Sequence, residues 1–243
     1  MASAAIIEQL QKQILSLQGG RPCCDQPALP LGLGVMESAF PGGAFPKGAV
    51  HEFISVSSEE AACTTSFISV VLGKLMKQGG HCMWISTVPR RSVFPHALGI
   101  FGLAADRILF VDAATTKETL WALEEALKCG ALVAVVGELN ELSFNDSRRL
   151  QLAVEQSRVT GFIHRFRPKV QSPVACITRW KISPLASEAP DGLPGLGFPR
   201  WQLALLKVRS GQPAQWQVEW SPKSMSLAYI QLPAISGHER QTG

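Results

Sequence analysis

Apolar and polar residues alternate in a pattern that predicts strands separated by helices. Short apolar runs predict strands over 50–54, 81–86, 107–111, 131–137, 161–166 and 174–182. Helical spacing predicts helices near Thr64–Lys77, after the Thr115-x-x-Glu118 capping box, and over Asn145–Gln156. Strands separated by helices of this length are typical of a doubly wound, mostly parallel α/β sheet with flanking helices.

The two ends of the chain follow different patterns. Ile7, Leu10, Ile14 and Leu17 form one stripe of an amphipathic helix over residues 1–18, followed by a linker over 19–30. This helix either folds back on its own domain or docks on a partner.

A core over 31–183 is followed by a Pro/Gly linker over 184–199. Residues 200–231 then predict a β-hairpin, because Trp216, Val218 and Trp220 alternate with polar residues; 232–243 read as a flexible tail.

Composition narrows the class of protein. With 243 residues, 46% hydrophobic and 17% charged, the chain predicts a globular domain that buries a core. No apolar run is as long as a membrane span, and no signal-peptide pattern opens the chain, so a cytoplasmic protein is expected. The net charge of +4 permits contact with nucleic acid without requiring it. The six cysteines lack metal-ligand spacing, so no metal site is expected.

The segment after the first core strand has the position of a phosphate-binding loop without its chemistry. Such a loop needs glycines and a Lys, as in G-x-x-x-x-G-K-[ST]. Here Ala62 and Cys63 replace the Gly-Lys pair, and only Thr64 and Thr65 keep the hydroxyls; the whole predicted loop also contains Ser57, Ser58, Glu59 and Glu60. Because two carboxylates would repel a polyphosphate, we predict no catalytic residues, no nucleotide cofactor and no ATP turnover.

The strings GLGVMESAFPGGAFPKGAVHEF and LGIFGLAADRILFVDAATTKETLWALEEALKCGALVAVVGEL resemble the RecA recombinase core over about residues 31–183. More closely, PGGAFPKGAVHEF, NDSRRLQLAVEQ and LKVRSGQPAQWQVEW resemble the ImuA family. Val88 lies where RecA has its catalytic Glu, and Gly137 followed by Glu138 lies where RecA ends a strand with a metal-shell Asp. Glu138 is thus a remnant of the acidic motif, and three departures make hydrolysis improbable.

The ImuA resemblance implies a non-catalytic accessory protein of SOS-induced, error-prone translesion DNA synthesis. Its implied partners are an ImuB-like Y-family protein, an error-prone polymerase alpha subunit and RecA itself, with docking through Ile7, Leu10, Ile14 and Leu17. The oligomeric state stays open. One alternative is a SulA-like inhibitor of cell division, since that family is also a degenerate RecA relative. A second is a divergent DNA-dependent ATPase that uses another lysine, for which Lys74 is the candidate.

A basic and aromatic loop follows the predicted strand GFIHRF. Arg165, Phe166, Arg167 and Lys169 form a patch of the kind that contacts single-stranded DNA through phosphates and one stacked base. The competing interpretation is an ordinary solvated loop. Trp121 and Trp201 are assigned either to the core or to an interface.

Overall fold

A computed structural model describes residues 30–87, 93–170, 173–189 and 196–230. Among these residues, nine strands form one sheet in the order β3-β2-β4-β5-β1-β6-β7-β8-β9. The strands are β1 Val50–Ser55, β2 His81–Thr87, β3 Ile108–Ala113, β4 Leu132–Leu139, β5 Thr160–Phe166, β6 Thr178–Leu185, β7 Arg200–Val208, β8 Ala214–Ser221 and β9 Ser226–Tyr229. The first six are parallel and the last three are antiparallel. This confirms the predicted α/β fold and is consistent with a RecA-like core.

In the part of the chain that the structure describes, three α-helices connect the parallel strands: α1 Ser58–Leu75, α2 Thr116–Lys128 and α3 Phe144–Ser157. Short 3-10 helices occupy Gly34–Ala39, Pro41–Gly43, Met76–Gln78, Pro95–Phe101 and Ala105–Arg107. The capping box of α2 is present as predicted, because Thr115 accepts a hydrogen bond from the Glu118 N–H and the Glu118 side chain accepts one from the Thr115 N–H.

Two apolar cores lie on opposite faces of the sheet. On one face α1 buries Phe67 and Ile68 against Trp180 and its neighbours. On the other face α2 and α3 bury Leu123 and Val154. Because β4 is covered on both faces, it is apolar in nearly every position, as the sequence pattern indicated. β1 is also fully buried, although it contains the polar residues His51, Glu52 and Ser55.

The predicted hairpin is present and continues the same sheet, since β7 pairs with β6 as well as with β8. Val218 and Trp220 are buried on the face that packs against the α1 side, and Trp216 is partly buried there. A further strand, β9, was missed. Its four residues pair with β8, and the Tyr229 hydroxyl donates to the Leu33 carbonyl and accepts from the Met36 N–H. Trp201 is buried, whereas Trp121 is 66% exposed.

In the described ranges, none of the helices combines the length and the apolar character that a membrane span requires.

Candidate functional site

The turn between β1 and α1 is much shorter than a phosphate-binding loop. Only Val56 and Ser57 separate the strand from the helix, so the segment Ser58–Thr65, predicted as a loop, is helical. The predicted helix start at Thr64 was therefore wrong by about a turn and a half. No extended loop remains there to wrap around a phosphate chain.

Local hydrogen bonds explain this early helix start. The Ser57 hydroxyl accepts a hydrogen bond from the Glu60 N–H at 3.2 Å, and the Glu60 carboxylate accepts one from the Val56 N–H at 2.9 Å. This arrangement resembles a capping box. It differs in that the Glu60 carboxylate accepts from the N–H of Val56, the residue before the N-cap, and not from the N–H of the N-cap residue Ser57. Glu59 and Glu60 also lie in the first turn of the helix, where negative charge interacts favourably with the helix dipole.

The Glu60 carboxylate also connects the turn to β6. The Lys181 ammonium lies 3.1 Å from Glu60 Oε1, and the Ser183 hydroxyl donates to the same oxygen at 3.3 Å. Glu60 is buried, and its charge is balanced by the half-exposed Lys181 and by the Val56 N–H. The side chain thus occupies the anion-binding position at this helix N-terminus.

The two threonines that keep the expected hydroxyls are buried, and the thiol beside them stays neutral. Thr64 is buried, and its hydroxyl lies 2.9 Å from the Ser55 hydroxyl, which lies 3.0 Å from His164 Nε2. Burial lowers the pKa of His164 to about 4, so the ring is neutral near pH 7. Thr65 is buried and Ala62 is exposed. Burial raises the pKa of the Cys63 thiol to about 11, which keeps it protonated.

Glu138, the predicted remnant of the acidic motif, lies at the carboxyl end of β4. It is buried and accepts a hydrogen bond from the Ser86 hydroxyl at 2.8 Å. In the sheet register Glu138 is opposite Ser86 of β2 and His164 of β5. Polar side chains therefore line the carboxyl edge of the parallel strands, the edge at which open α/β sheets bind ligands.

A buried ion-pair network is the main feature of this edge that sequence reasoning missed. Arg165 is fully buried and donates to Glu52 Oε1 at 2.8 Å; Arg179 contacts the other oxygen of Glu52. Arg165 also donates to Glu141 Oε2 at 3.2 Å and to the Val170 carbonyl at 3.0 Å. A Glu inside the apolar β1 segment was the available signal, because a buried carboxylate requires a cationic partner.

This network shows that the prediction of Arg165 as a DNA-binding residue was wrong. Arg165 points into the protein, where it joins the loops that follow β4 and β5, so it is not available to a phosphate backbone. The rest of the predicted patch lies at the surface. Arg167 is exposed, its guanidinium carbon lies 4.9 Å from the centre of the Phe166 ring, and its Nε donates to the Val56 carbonyl at 3.2 Å. Lys169 is exposed, and its backbone N–H donates to Glu141.

The other predicted positions fall away from this edge or outside the described residues. Lys74 lies in the last turn of α1, about 24 Å from the start of that helix, so it cannot replace the missing phosphate-binding lysine. Val88 and the N-terminal stripe Ile7, Leu10, Ile14 and Leu17 lie outside the described residues.

Comparison with known proteins identifies relatives of two kinds. No protein-family model matches the chain. It is 33% identical over 202 residues to "Protein ImuA" from two strains of Caulobacter vibrioides, covering 78% of this chain and 82% of that protein. It is also 30% identical over 118 residues to "Cell division inhibitor SulA" of Yersinia pestis, covering 49% of this chain and 68% of that protein. The longer match extends over most of both chains, and the chain therefore belongs to the ImuA family.

Proposed function

We propose that this protein is a non-catalytic accessory protein of the SOS response that supports error-prone translesion DNA synthesis in the cytoplasm. Its membership of the ImuA family supports the general role. The single observation that supports the non-catalytic part is the position of Glu60, whose carboxylate fills the turn where a nucleotide phosphate would bind.

Electrostatics explains why this turn is a poor nucleotide site. A triphosphate would meet the Glu60 carboxylate at close range, and Lys181 and the Val56 N–H already interact with that carboxylate. Magnesium-bound nucleotide is normally held by a loop of backbone N–H groups together with a lysine. A single buried carboxylate at Glu138, hydrogen-bonded to Ser86, does not replace this set.

In this role the protein acts as a scaffold. Its partners are an ImuB-like Y-family protein, an error-prone polymerase alpha subunit and RecA. The surface formed by Phe166, Arg167 and Lys169 would contact single-stranded DNA, since a cation stacked beside an aromatic ring suits a phosphate backbone and one base. Arg165 takes no direct part and instead holds this loop in place.

The experiment is reconstitution of the complex with the purified full chain. We expect the ImuB-like protein and the polymerase subunit to co-elute with the chain equally well with and without Mg-ATP. We also expect no ATP hydrolysis on single-stranded DNA and no calorimetric signal on titration with Mg-ATP. Tight Mg-ATP binding, or a complex that forms only with ATP, would contradict the proposal.

Inhibition of cell division is the second candidate, because the SulA similarity spans 118 residues of the chain. Overproduction in a strain that lacks its own SulA distinguishes the two functions. Filamentous cells with an unchanged frequency of damage-induced mutation would favour inhibition. Normal division with a raised mutation frequency, in cells that also contain the ImuB-like protein and the polymerase, supports the translesion role.

A further inference from the structure

The turn over residues 167–170, which follows β5, has a strained backbone at Arg167. The φ angle of Arg167 is +49°, in the left-handed region that residues with a side chain seldom adopt. Pro168 comes next, and a proline favours an extended conformation for the residue before it. A strained residue of this kind persists only where its surroundings hold it, and such residues are typical of functional segments.

Two hydrogen bonds attach Arg167 to the end of β1. Its N–H donates to the Ser55 carbonyl at 2.7 Å, and its Nε donates to the Val56 carbonyl at 3.2 Å. The guanidinium also lies beside the Phe166 ring, 4.9 Å from its centre. The arginine is thus held in one position at the surface before any ligand binds. A side chain held in this way loses less conformational entropy on binding.

Glu141, in the loop after β4, holds the other end of the turn. Its Oε1 accepts from the Lys169 N–H at 2.6 Å, and its Oε2 accepts from Arg165 Nη2 at 3.2 Å. The same nitrogen of Arg165 donates to the Val170 carbonyl at 3.0 Å, and its Nε donates to the Asn140 carbonyl at 3.3 Å. One carboxylate and one buried guanidinium therefore join the two loops.

The charge of Glu141 opposes the expected ligand of this surface. Arg167 and Lys169 are exposed on the turn, where their positive charges attract phosphate. The Glu141 side chain is 47% exposed beside them, so its negative charge weakens that attraction. If charge alone decided the affinity, removal of the Glu141 charge would strengthen the binding of nucleic acid.

We propose that Glu141 is a positioning residue for single-stranded nucleic acid, which it favours by fixing the 167–170 turn so that Arg167 and Lys169 reach the phosphate backbone together. This role rests on the single-strand contact proposed above. An acidic residue then strengthens the binding of a polyanion, because the position that it imposes on the turn outweighs the repulsion of its own charge.

Fluorescence anisotropy with a labelled single-stranded oligonucleotide of thymidines and the full chain tests this role. Glu141→Gln keeps the size of the side chain, but it offers one acceptor oxygen where the Lys169 N–H and Arg165 require two. We expect the affinity to fall by about fivefold, the order of magnitude for releasing two side chains that were held before binding. Glu141→Ala, which removes both acceptors, should weaken binding at least as much.

The matched control is Glu59→Gln in the first turn of α1. Glu59 is exposed, and the pKa of its carboxyl is lowered mainly by a hydrogen bond with Ser57 and to a lesser extent by the charge of Arg167. This variant removes one negative charge near the same surface and leaves both hydrogen bonds of Glu141 in place. It should therefore bind the oligonucleotide as tightly as the unmodified chain, or more tightly.

Two further measurements separate positioning from a general loss of structure. Hydrogen exchange of the Lys169 amide without DNA should become faster in Glu141→Gln and stay unchanged in Glu59→Gln, because this amide donates to Glu141. In a chain that also carries Arg167→Ala and Lys169→Ala, Glu141→Gln should no longer weaken binding, since the side chains that it positions are absent. Circular dichroism verifies that each variant is folded.

Failure of the proposed DNA contact and failure of this role give different results. If the unmodified chain does not bind the oligonucleotide, or binds it equally well after Arg167→Ala with Lys169→Ala, the DNA contact is wrong and the role of Glu141 fails with it. If that double variant loses binding but Glu141→Gln binds as tightly as Glu59→Gln, the DNA contact stands and the positioning role is overturned.

Discussion

Two regions differ in whether their side chains have partners within the protein: the carboxyl edge of the parallel strands, and the groove between Trp121 of α2 and Leu109 of β3. At the carboxyl edge the key polar groups pair internally, as shown by Glu60 with Lys181, Ser55 with Thr64, and Arg165 with Glu52. At the groove Trp121 and Leu109 leave apolar surface exposed. The comparison shows that, at the edge where this fold usually binds ligands, these polar side chains are paired with one another, while exposed apolar surface lies at a different edge. Variants that remove one partner of each pair measure how strongly this edge depends on its internal contacts.

The largest expected effect comes from breaking the buried ion pair. Arg165→Met should lower the free energy of unfolding by about 3 kcal/mol, because among the described residues Glu52 then keeps Arg179 alone as a cationic partner in a buried position. Urea unfolding measures the change. The control Arg148→Met removes an exposed arginine and should change stability by less than about 0.5 kcal/mol. A loss below about 1 kcal/mol for Arg165→Met would contradict the assigned role of the network.

Buried histidines should make stability depend on pH. Burial lowers the pKa of His51 and of His164 to about 4, below the value of 6.5 expected in the unfolded chain. The unfolded state therefore binds more protons between these values, and stability is full above pH 6.5 and is lost as pH falls toward 4. Between pH 6.5 and 5 the loss is about 2 kcal/mol per histidine.

Urea unfolding at pH 7 and pH 5 measures this dependence. His164→Gln should remove about half of the histidine contribution, whereas the exposed His96→Gln should leave it unchanged. Equal pH dependence in all three proteins would show that His164 is protonated as readily in the folded state as in the unfolded state.

A smaller effect is expected at the β1–α1 turn. Glu60→Ala removes the acceptor for the Val56 N–H and the partner of Lys181, and should cost about 1 kcal/mol, the usual value for a lost helix cap. Glu59→Ala changes an exposed carboxylate in the same turn and should cost clearly less. Thermal unfolding of both variants checks the order, and equal losses would contradict the structural role of Glu60.

The smallest effect is expected at the groove, which completes the comparison. Trp121→Ala should change the free energy of unfolding of the monomer by less than about 0.5 kcal/mol, because its side chain is mostly exposed. The buried Trp180→Ala should cost about 3 kcal/mol or more in the same urea experiment. A large loss for Trp121→Ala would show that this side chain belongs to the core.

Helix starts illustrate how much of the fold could be predicted. Thr115-x-x-Glu118 was interpreted as a capping box and α2 begins there. Ser57-x-x-Glu60 has the same pattern, but its resemblance in position to a phosphate-binding loop favoured a helix start at Thr64, whereas α1 begins at Ser58. The signal was local and present in the sequence. β9 was missed for a different reason, since four residues are too few to show a period.

The sequence by itself determined the alternation of strands and helices, the parallel sheet, the C-terminal hairpin and the absence of a Gly-Lys phosphate motif, because each depends on residues close together in the chain. Tertiary structure alone decided that Arg165 is buried with Glu52, that Glu60 meets Lys181, and that Trp121 is exposed beside Leu109. These contacts join residues far apart in the chain. The residue type shows whether a side chain requires an ion-pair partner or an apolar environment when it is buried. Only the packing of strands and helices shows whether a distant segment of the chain provides that partner or environment.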